Sequence, residues 1–190
     1  MTLERVKFTF VALFFAILAL VGLSAGADYG LPCDETTEQV ILQENMLEYA
    51  LRLFGEDSAP AQWYLSRGFT PISQSIERDH GQCAYYPAAA LLPLQEEAPD
   101  RVMVLWHAYT WLWFMLGVAA VYGFCREAKL SRPVSCGGML LLYLCPRFFA
   151  EGHYNSKDMV LLTLFLCTLW LGLRFLKQPG LLRGALFSLA

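Results

Sequence analysis

Two places in the sequence carry carboxylates whose positions could support chemistry. Asp34 and Glu35 are adjacent and follow a long apolar run, and Asp158 lies far along the chain, directly before another apolar run. Such carboxylates can act as a general base for a hydroxyl nucleophile, or bind a divalent cation through their oxygen atoms. Helix capping is the structural alternative for both aspartates, because an acidic side chain near a helix N-terminus satisfies free N–H groups and the helix dipole.

Asp158 lies near the end of a polar stretch, residues 146–160, with the sequence PRFFAEGHYNSKDMV. The stretch separates two apolar runs, where a buried charge is costly unless it is paired or hydrated. We therefore expect it to form an outer turn between two membrane spans, with one side in contact with water.

The elements that must position these residues are membrane spans. Hydrophobic residues make up 56% of the 190 residues and charged residues only 16%, which is more apolar than an ordinary soluble domain. The sequence predicts an all-α integral membrane protein, a polytopic helical bundle with four complete spans and the start of a fifth. We expect a fragment of a longer protein, because the last apolar run is unfinished. The expected segments are spans at residues 6–26, 102–124, 134–150 and 159–176, a truncated span at 184–190, and a long outer loop at 27–101.

The first span has a second interpretation. Arg5 and Lys7, the apolar run and Ala25-Gly26-Ala27 resemble a secretory signal peptide with its cleavage site. The apolar run is longer than the usual core of a signal peptide, which favours a retained anchor. Under either interpretation, the chain from Asp28 onward is expected to be translocated.

The distribution of charge predicts the orientation. The outer loop at 27–101 holds 13 Asp and Glu residues and four Arg residues, so it is expected outside. The basic residues gather in the other connections, as the positive-inside rule requires of cytoplasmic segments. We expect a multi-pass protein of the cell (plasma) membrane with a cytoplasmic N-terminus. The basic residues of the segments expected inside are Arg5, Lys7, Arg126, Lys129, Arg132, Arg174, Lys177 and Arg183.

The outer loop has a pattern of its own. Residues 34–54 place apolar side chains close to the spacing of an amphipathic helix. We expect this helix to lie along the membrane surface, with its acidic face in water and its apolar face on lipid or on the other spans. A solvated helix of a soluble loop domain is the alternative. Residues 66–93 mix aromatic and charged side chains, which suits either an interfacial aromatic belt or a site for a sugar or lipid headgroup.

The cysteines and common motifs exclude several classes. The six cysteines contain no CxxC pair, and Cys33 and Cys83 lie in the outer loop, where a disulfide between them is one of the open possibilities. The chain has no Walker loop and no GxGxxG, so the sequence does not suggest an ATP-driven pump or a dinucleotide enzyme. Nucleic acid is not an expected partner.

The order of these features resembles a known family. A first span, the pair Asp34-Glu35 opening a surface helix, a long outer loop containing RDHGQCAYYP, and PRFFAEGHYNSKDMVLL with Asp158 before an apolar span resemble the N-terminal part of C-type glycosyltransferases. The chain is most similar to family 39, the branch of protein O-mannosyltransferases and aminoarabinose transferases. The resemblance implies a hexosyltransferase or mannosyltransferase of the cell envelope. It would move a sugar from a polyprenyl-phosphate carrier to an acceptor hydroxyl on a glycan, lipid or protein, on the extracytoplasmic face and with inversion.

The resemblance also implies roles for individual residues. Asp34 corresponds to the base that acts on the acceptor hydroxyl, and Glu35 completes the pair. Asp158 corresponds to an acidic residue that binds a divalent cation (Mg or Mn) or orients substrate. The family uses more spans than these four, so the chain as given is expected to be inactive. The candidates for contact with the donor phosphate are Arg147, His153, Lys157, Arg78 and His80.

Other interpretations stay open. Arg147 and Lys157 could extend to the membrane interface without contacting substrate, and His153 could be a satisfied interfacial histidine. His107 lies inside the second span, where a hydrogen bond between helices is the more common role. A non-catalytic transporter or membrane assembly subunit is the alternative function, although a transporter would place its charges near the middle of the bilayer, often on broken helices. A flippase or polymer ligase would share the substrates.

Overall fold

A computed structural model describes residues 3–32, 34–80 and 84–190 of the chain. Every regular element within these ranges is helical, which confirms the all-α prediction. The chain divides into two compact units, one of Met1–Tyr29 with His107–Ala190 and the other of Gly30–Trp106. The α-helices in the described ranges are α1 (Leu3–Ala25), α2 (Glu35–Phe54), α3 (Ala59–Leu65), α4 (Pro99–Glu127), α5 (Arg132–Tyr143), α6 (Pro146–Tyr154), α7 (Ser156–Lys177) and α8 (Leu181–Leu189), with 3-10 helices at Gly26–Asp28, Ile72–Gln74 and Tyr86–Leu94.

Within the described residues, three helices are long and apolar enough to cross a membrane. They cover Phe8–Asp28, Pro99–Glu127 and Ser156–Lys177, and they coincide with three of the expected spans. The pair α5 and α6 adds a fourth span if the two helices are counted as one. The protein is therefore a helical membrane-associated chain with three or four candidate spans. A fifth span beginning in α8 stays a prediction.

The third expected span is not one straight helix. The axis bends by 64° between α5 and α6. Cys145 has an extended backbone (φ −65°, ψ 114°), and Pro146 begins α6. Proline has no N–H to donate and disfavours helical backbone at the residue before it, so the helix ends here and a new one begins. The stretch predicted as an outer turn is consequently α6 and the first turn of α7.

The unit of Met1–Tyr29 and His107–Ala190 has an aromatic core. Trp111 and Phe114 of α4 are fully buried, and Met139 and Tyr143 of α5 and Met159 of α7 pack with them. The rings of Trp111 and Tyr143 meet edge to face, with centroids 5.8 Å apart. Such an arrangement aligns the positive edge of one ring with the negative face of the other.

Four backbone carbonyl groups in and just after the C-terminal half of α1 contact polar side chains from α4, α5 and α6. We call these four carbonyls the α1 carbonyl row. Side chains that carry N–H or O–H groups within an apolar bundle need such partners, because lipid offers none. The four contacts are Tyr143 Oη to Leu18 O (3.0 Å), Trp111 Nε1 to Ala19 O (3.0 Å), His153 Nε2 to Gly22 O (3.0 Å) and His107 Nδ1 to Gly26 O (3.1 Å).

Gly22 permits the close approach on which this row depends. A Cβ atom at Gly22 would overlap the indole ring of Trp111. Because that indole is fully buried among other rings, it has no free space into which to move. The absence of a side chain at Gly22 therefore lets Trp111 lie directly against α1.

The second unit, Gly30–Trp106, has a smaller core. Leu47 and Ala50 of α2 pack against Ala61 of α3, and Ser58 caps α3 by accepting a hydrogen bond from Ala61 N (3.4 Å). The expectation that the acidic face of α2 lies in water is wrong for several positions, because polar residues of this helix are buried: Glu35, Glu38, Gln39, Gln43, Glu44 and Asn45. Val40, Leu53 and Phe54 are exposed, and contact of the apolar face with lipid or with the other spans stays a prediction.

We predict that Gly22→Ala destabilises the protein by about 1–3 kcal/mol, because the added methyl group must displace the Trp111 ring. Gly137→Ala is the matched control, since Gly137 is also helical but a Cβ there meets no atom within 4 Å. The measurement is thermal unfolding of the detergent-solubilised protein followed by circular dichroism. Equal midpoints for the two variants would contradict the described packing.

Candidate functional site

The two adjacent carboxylates at the start of α2 lie in opposite environments. Asp34 is exposed and occupies the N-cap position of α2. Glu35 is only 1% exposed, and its Oε1 accepts a hydrogen bond from Gln39 Nε2 (3.4 Å) one turn along the helix. Asp34 is therefore accessible to a molecule in solution, whereas Glu35 is not.

Three glutamines lead to Glu35, and we call them the glutamine chain. Gln43 Nε2 donates to Gln95 Oε1 (3.1 Å), Gln95 Nε2 donates to Gln39 Oε1, and Gln39 donates to Glu35. Every amide donates in the same direction, so the chain ends at a group that can only accept while it is ionised. Sequence reasoning missed this chain, although the spacing of Glu35, Gln39 and Gln43 by four residues already places them on one face of a helix.

A cavity of about 290 Å³ lies beside the glutamine chain and is lined by Gln43 and Gln95. Arg67 at its wall lies 3.9 Å from the centre of the Trp63 ring and forms an ion pair with Glu96 (2.6 Å). Hydrogen bonding from the Arg67 guanidinium lowers the pKa of Glu96, so this wall presents an ionised pair. Amides, ions and aromatic rings together suit a ligand with many hydroxyl groups. The remaining lining residues are Phe69 and Leu92.

Asp158 belongs to a second polar cluster, which we call the Asn155 corner: Arg147, Glu151, Asn155 and Asp158. Asn155 caps α7, since its Oδ1 accepts from Asp158 N (3.2 Å), so the cap is Asn155 and not Asp158. The Asn155 Nδ2 donates both to Asp158 Oδ2 (2.9 Å) and to Glu151 Oε2 (3.1 Å). Arg147 pairs with Glu151 at 2.8 Å. One amide therefore bridges two carboxylates, and one cation pairs with Glu151.

Lys157 and Asp158 are both exposed in the first turn of α7. The structure thus brings Arg147 and Asp158 into one cluster, with Lys157 adjacent in sequence. Asp34 and Glu35 belong to the other unit, and their convergence with Asp158 on one ligand stays a prediction.

His153 is placed differently from its neighbours in sequence. It is fully buried, with Nδ1 2.9 Å from Phe149 O and Nε2 3.0 Å from Gly22 O. Its ring is stacked between Tyr29 (centroids 4.3 Å apart) and Trp111 (4.4 Å). This placement favours the satisfied histidine over the phosphate contact. His107, also fully buried, contacts the α1 carbonyl row as expected of a hydrogen-bond partner between helices.

Arg78 and His80 are both exposed in the second unit, and His80 Nδ1 lies 2.9 Å from Glu77 Oε2. Their roles in binding a phosphate stay predictions. Cys33 and Cys83 lie outside the described residues, and so does the proposed disulfide between them.

The expected divalent cation also stays a prediction. Within residues 3–32, 34–80 and 84–190, no group of three or more His, Cys, Asp or Glu side chains is gathered as a cation site would require. The Asn155 corner offers two carboxylates, Glu151 and Asp158, joined through one amide. Oxygen ligands of this type suit Mg²⁺, which commonly binds one or two protein carboxylates and completes its shell with water and substrate phosphate.

Comparison with known proteins identifies no family: the chain matches no protein-family model, no curated protein and no solved structure. Fold and site together define a coarse class, an all-helical, membrane-associated protein with buried and exposed carboxylates on two polar clusters.

We predict that Asn155→Ala destabilises the protein by about 1 kcal/mol or more, because it removes the cap of α7 and leaves Glu151 and Asp158 without their bridge. Asn155→Ser should lose less, since a serine hydroxyl can still accept from Asp158 N. The measurement is the unfolding midpoint of both variants in detergent. Wild-type stability of Asn155→Ala would contradict the described corner.

Proposed function

We propose that the chain is part of a membrane glycosyltransferase that moves a sugar from a polyprenyl-phosphate carrier to an acceptor hydroxyl on the extracytoplasmic face. The observation that carries this proposal is the carboxylate pair of α2. Asp34 is exposed where a substrate can reach it, and Glu35 is buried at the end of the glutamine chain. The order of spans and loops that resembles family 39 supports the same assignment.

The proposed reaction is a single displacement. Asp34 accepts the proton of the acceptor hydroxyl while that oxygen attacks the anomeric carbon. The bond between this carbon and the carrier phosphate breaks, and the phosphate leaves with the electron pair, so the configuration inverts. Positive charge grows on the sugar during this step, and a nearby carboxylate such as Glu35 would stabilise it when ionised. General base catalysis by Asp34 would contribute about 10²–10⁴-fold to the rate.

The leaving phosphate requires positive charge, and the first turn of α7 offers it. Lys157 is exposed there, and Arg147 lies in the neighbouring Asn155 corner, although it is paired with Glu151. A divalent cation bound through Asp158 would supply Lewis-acid stabilisation of the departing phosphate. We therefore assign Lys157 and Arg147 as the contacts to the leaving phosphate.

The acceptor or the transferred sugar also needs recognition of its hydroxyl groups. The 290 Å³ cavity supports this part of the proposal, because Gln43 and Gln95 present amides beside the Trp63 ring and the pair of Arg67 and Glu96. An acceptor glycan, lipid or protein is compatible with such a lining. The orientation, with this unit outside the cell membrane, rests on the charge distribution of the loops.

A transporter is the second candidate, and the bend between α5 and α6 favours it. Broken helices near polar groups form the binding sites of many secondary transporters. Here the break is 64°, and the buried His153 lies on its second half. The charged groups of the Asn155 corner extend from Arg147, directly after the break, to Asp158 in the first turn of α7. The sequence is expected to place this stretch at the outer interface and not in the middle of the bilayer, which supports the transferase.

We predict that Asp34→Asn lowers sugar transfer at least about 100-fold, because asparagine cannot accept the hydroxyl proton. The full-length protein is reconstituted in liposomes with a radiolabelled polyprenyl-phosphate sugar, and glycosylated product is counted. Asp57→Asn, which changes an exposed carboxylate in the turn between α2 and α3, is the matched control and should keep wild-type activity.

The same assay separates the two candidate functions. Undiminished transfer in Asp34→Asn would refute its role as the base. Uptake of free solute into the liposomes, with no covalent product, would refute the transferase function and support the transporter function.

A further inference from the structure

A groove between α1 and α5 belongs to no part of the proposed function. It has a volume of about 930 Å³ and lies between α1 and α5, beside the end of α4. Its walls are mainly apolar, with Phe10 and Phe14 on α1 and Leu140 on α5. We call it the α1–α5 groove. The other lining residues are Val11, Arg126, Arg132, Pro133, Cys136 and Gly137.

Two arginines line this otherwise apolar groove. Arg126 lies in the last turn of α4 and Arg132 is the first residue of α5, so both come from the same short connection. Arg126 Nη1 donates to Leu130 O, and the neighbouring Glu127 lies 3.7 Å from Arg174. Lys129, between the two arginines in sequence, is exposed and adds a third positive charge to the connection. The groove therefore joins an apolar channel to a concentrated positive charge.

A ligand of the α1–α5 groove must match both its apolar walls and its positive charge. An apolar protein helix in the groove would leave the guanidinium groups of Arg126 and Arg132 facing hydrocarbon, which is costly. A phospholipid offers both a hydrocarbon chain and an anionic phosphate, and guanidinium groups bind phosphate through paired N–H donors. Basic pockets between membrane helices on the cytoplasmic side bind anionic lipid headgroups in this way.

We propose that the α1–α5 groove binds an anionic phospholipid, with an acyl chain between α1 and α5 and the phosphate at Arg126 and Arg132. The site is independent of the proposed transferase reaction, because none of its residues belongs to α2, the 290 Å³ cavity or the Asn155 corner.

Two features of the groove make the proposal testable. Gly137 lines it, and a Cβ there meets no atom within 4 Å, so a larger side chain can fill the groove without a clash at its base. Cys136 also lines it and carries a thiol that reports whether the groove is covered. Cys145, half-buried at the break between α5 and α6, is an internal reference.

The experiment places the full chain in nanodiscs containing either phosphatidylglycerol with phosphatidylcholine or phosphatidylcholine alone. Bound lipid is counted by native mass spectrometry after transfer to detergent, and maleimide reaction at each cysteine is quantified by peptide mass. We expect selective retention of phosphatidylglycerol and slower labelling of Cys136, relative to Cys145, when that lipid is present.

The variants locate the site. Arg126→Gln with Arg132→Gln should lower phosphatidylglycerol retention about tenfold or more. Lys177→Gln with Arg183→Gln, an equal change of charge outside the groove, should retain it. Gly137→Leu should displace the lipid, whereas Leu141→Ala on the exposed side of α5 should not. Circular dichroism of every variant confirms that it is folded.

Two results would overturn the proposal. The first is equal retention of phosphatidylglycerol by the two double variants. The second is protection of Cys136 that does not depend on lipid, because a protein segment would then cover the groove.

Discussion

Hydrogen bonding to the backbone of α1 is the constraint on which the unit of Met1–Tyr29 and His107–Ala190 depends. Trp111, Tyr143, His107 and His153 carry polar groups into an apolar interior, and each contacts one carbonyl of the α1 carbonyl row. In water these groups could form hydrogen bonds with solvent. Among lipid tails no such partner exists, so an unpaired N–H or O–H group raises the free energy of the folded protein. The row therefore determines how α4, α5 and α6 lie against α1, and the missing side chain at Gly22 permits it.

This constraint extends to the Asn155 corner through His153. The ring of His153 is fixed from both faces by Tyr29 and Trp111 and at its edge by Gly22 O, which anchors the end of α6. Asn155 follows two residues later and caps α7, so the corner begins from an anchored position. A buried histidine and an exposed polar cluster thus act together: the first fixes the backbone, and the second presents Lys157 and Asp158 at the start of α7.

Much of the fold could be predicted from the sequence, because hydropathy alone locates long apolar helices, and three candidate spans lie where they were expected. The bend at Pro146 had a visible signal, but the apolar residues on both sides favoured a continuous span. His153 and Asn155 could not be assigned from residue type, since their roles depend on Gly22, Trp111 and Glu151, which are distant in sequence or lie on another turn. The burial of Glu35 was missed because its partners in the glutamine chain include Gln95, from a segment without periodicity.

The central proposal is the orientation in the membrane: we expect the outer loop at 27–101 and the start of α7 to be extracytoplasmic, and the basic connection between α4 and α5 to be cytoplasmic. Single cysteines at three exposed positions, Ile76→Cys, Lys157→Cys and Lys129→Cys, test it most directly in intact cells. A membrane-impermeant maleimide is added before or after permeabilisation, and labelling is read by site-resolved peptide mass. The account predicts immediate labelling at positions 76 and 157, and labelling at 129 only after permeabilisation. Labelling of 76 and 157 from opposite sides of the membrane would contradict it.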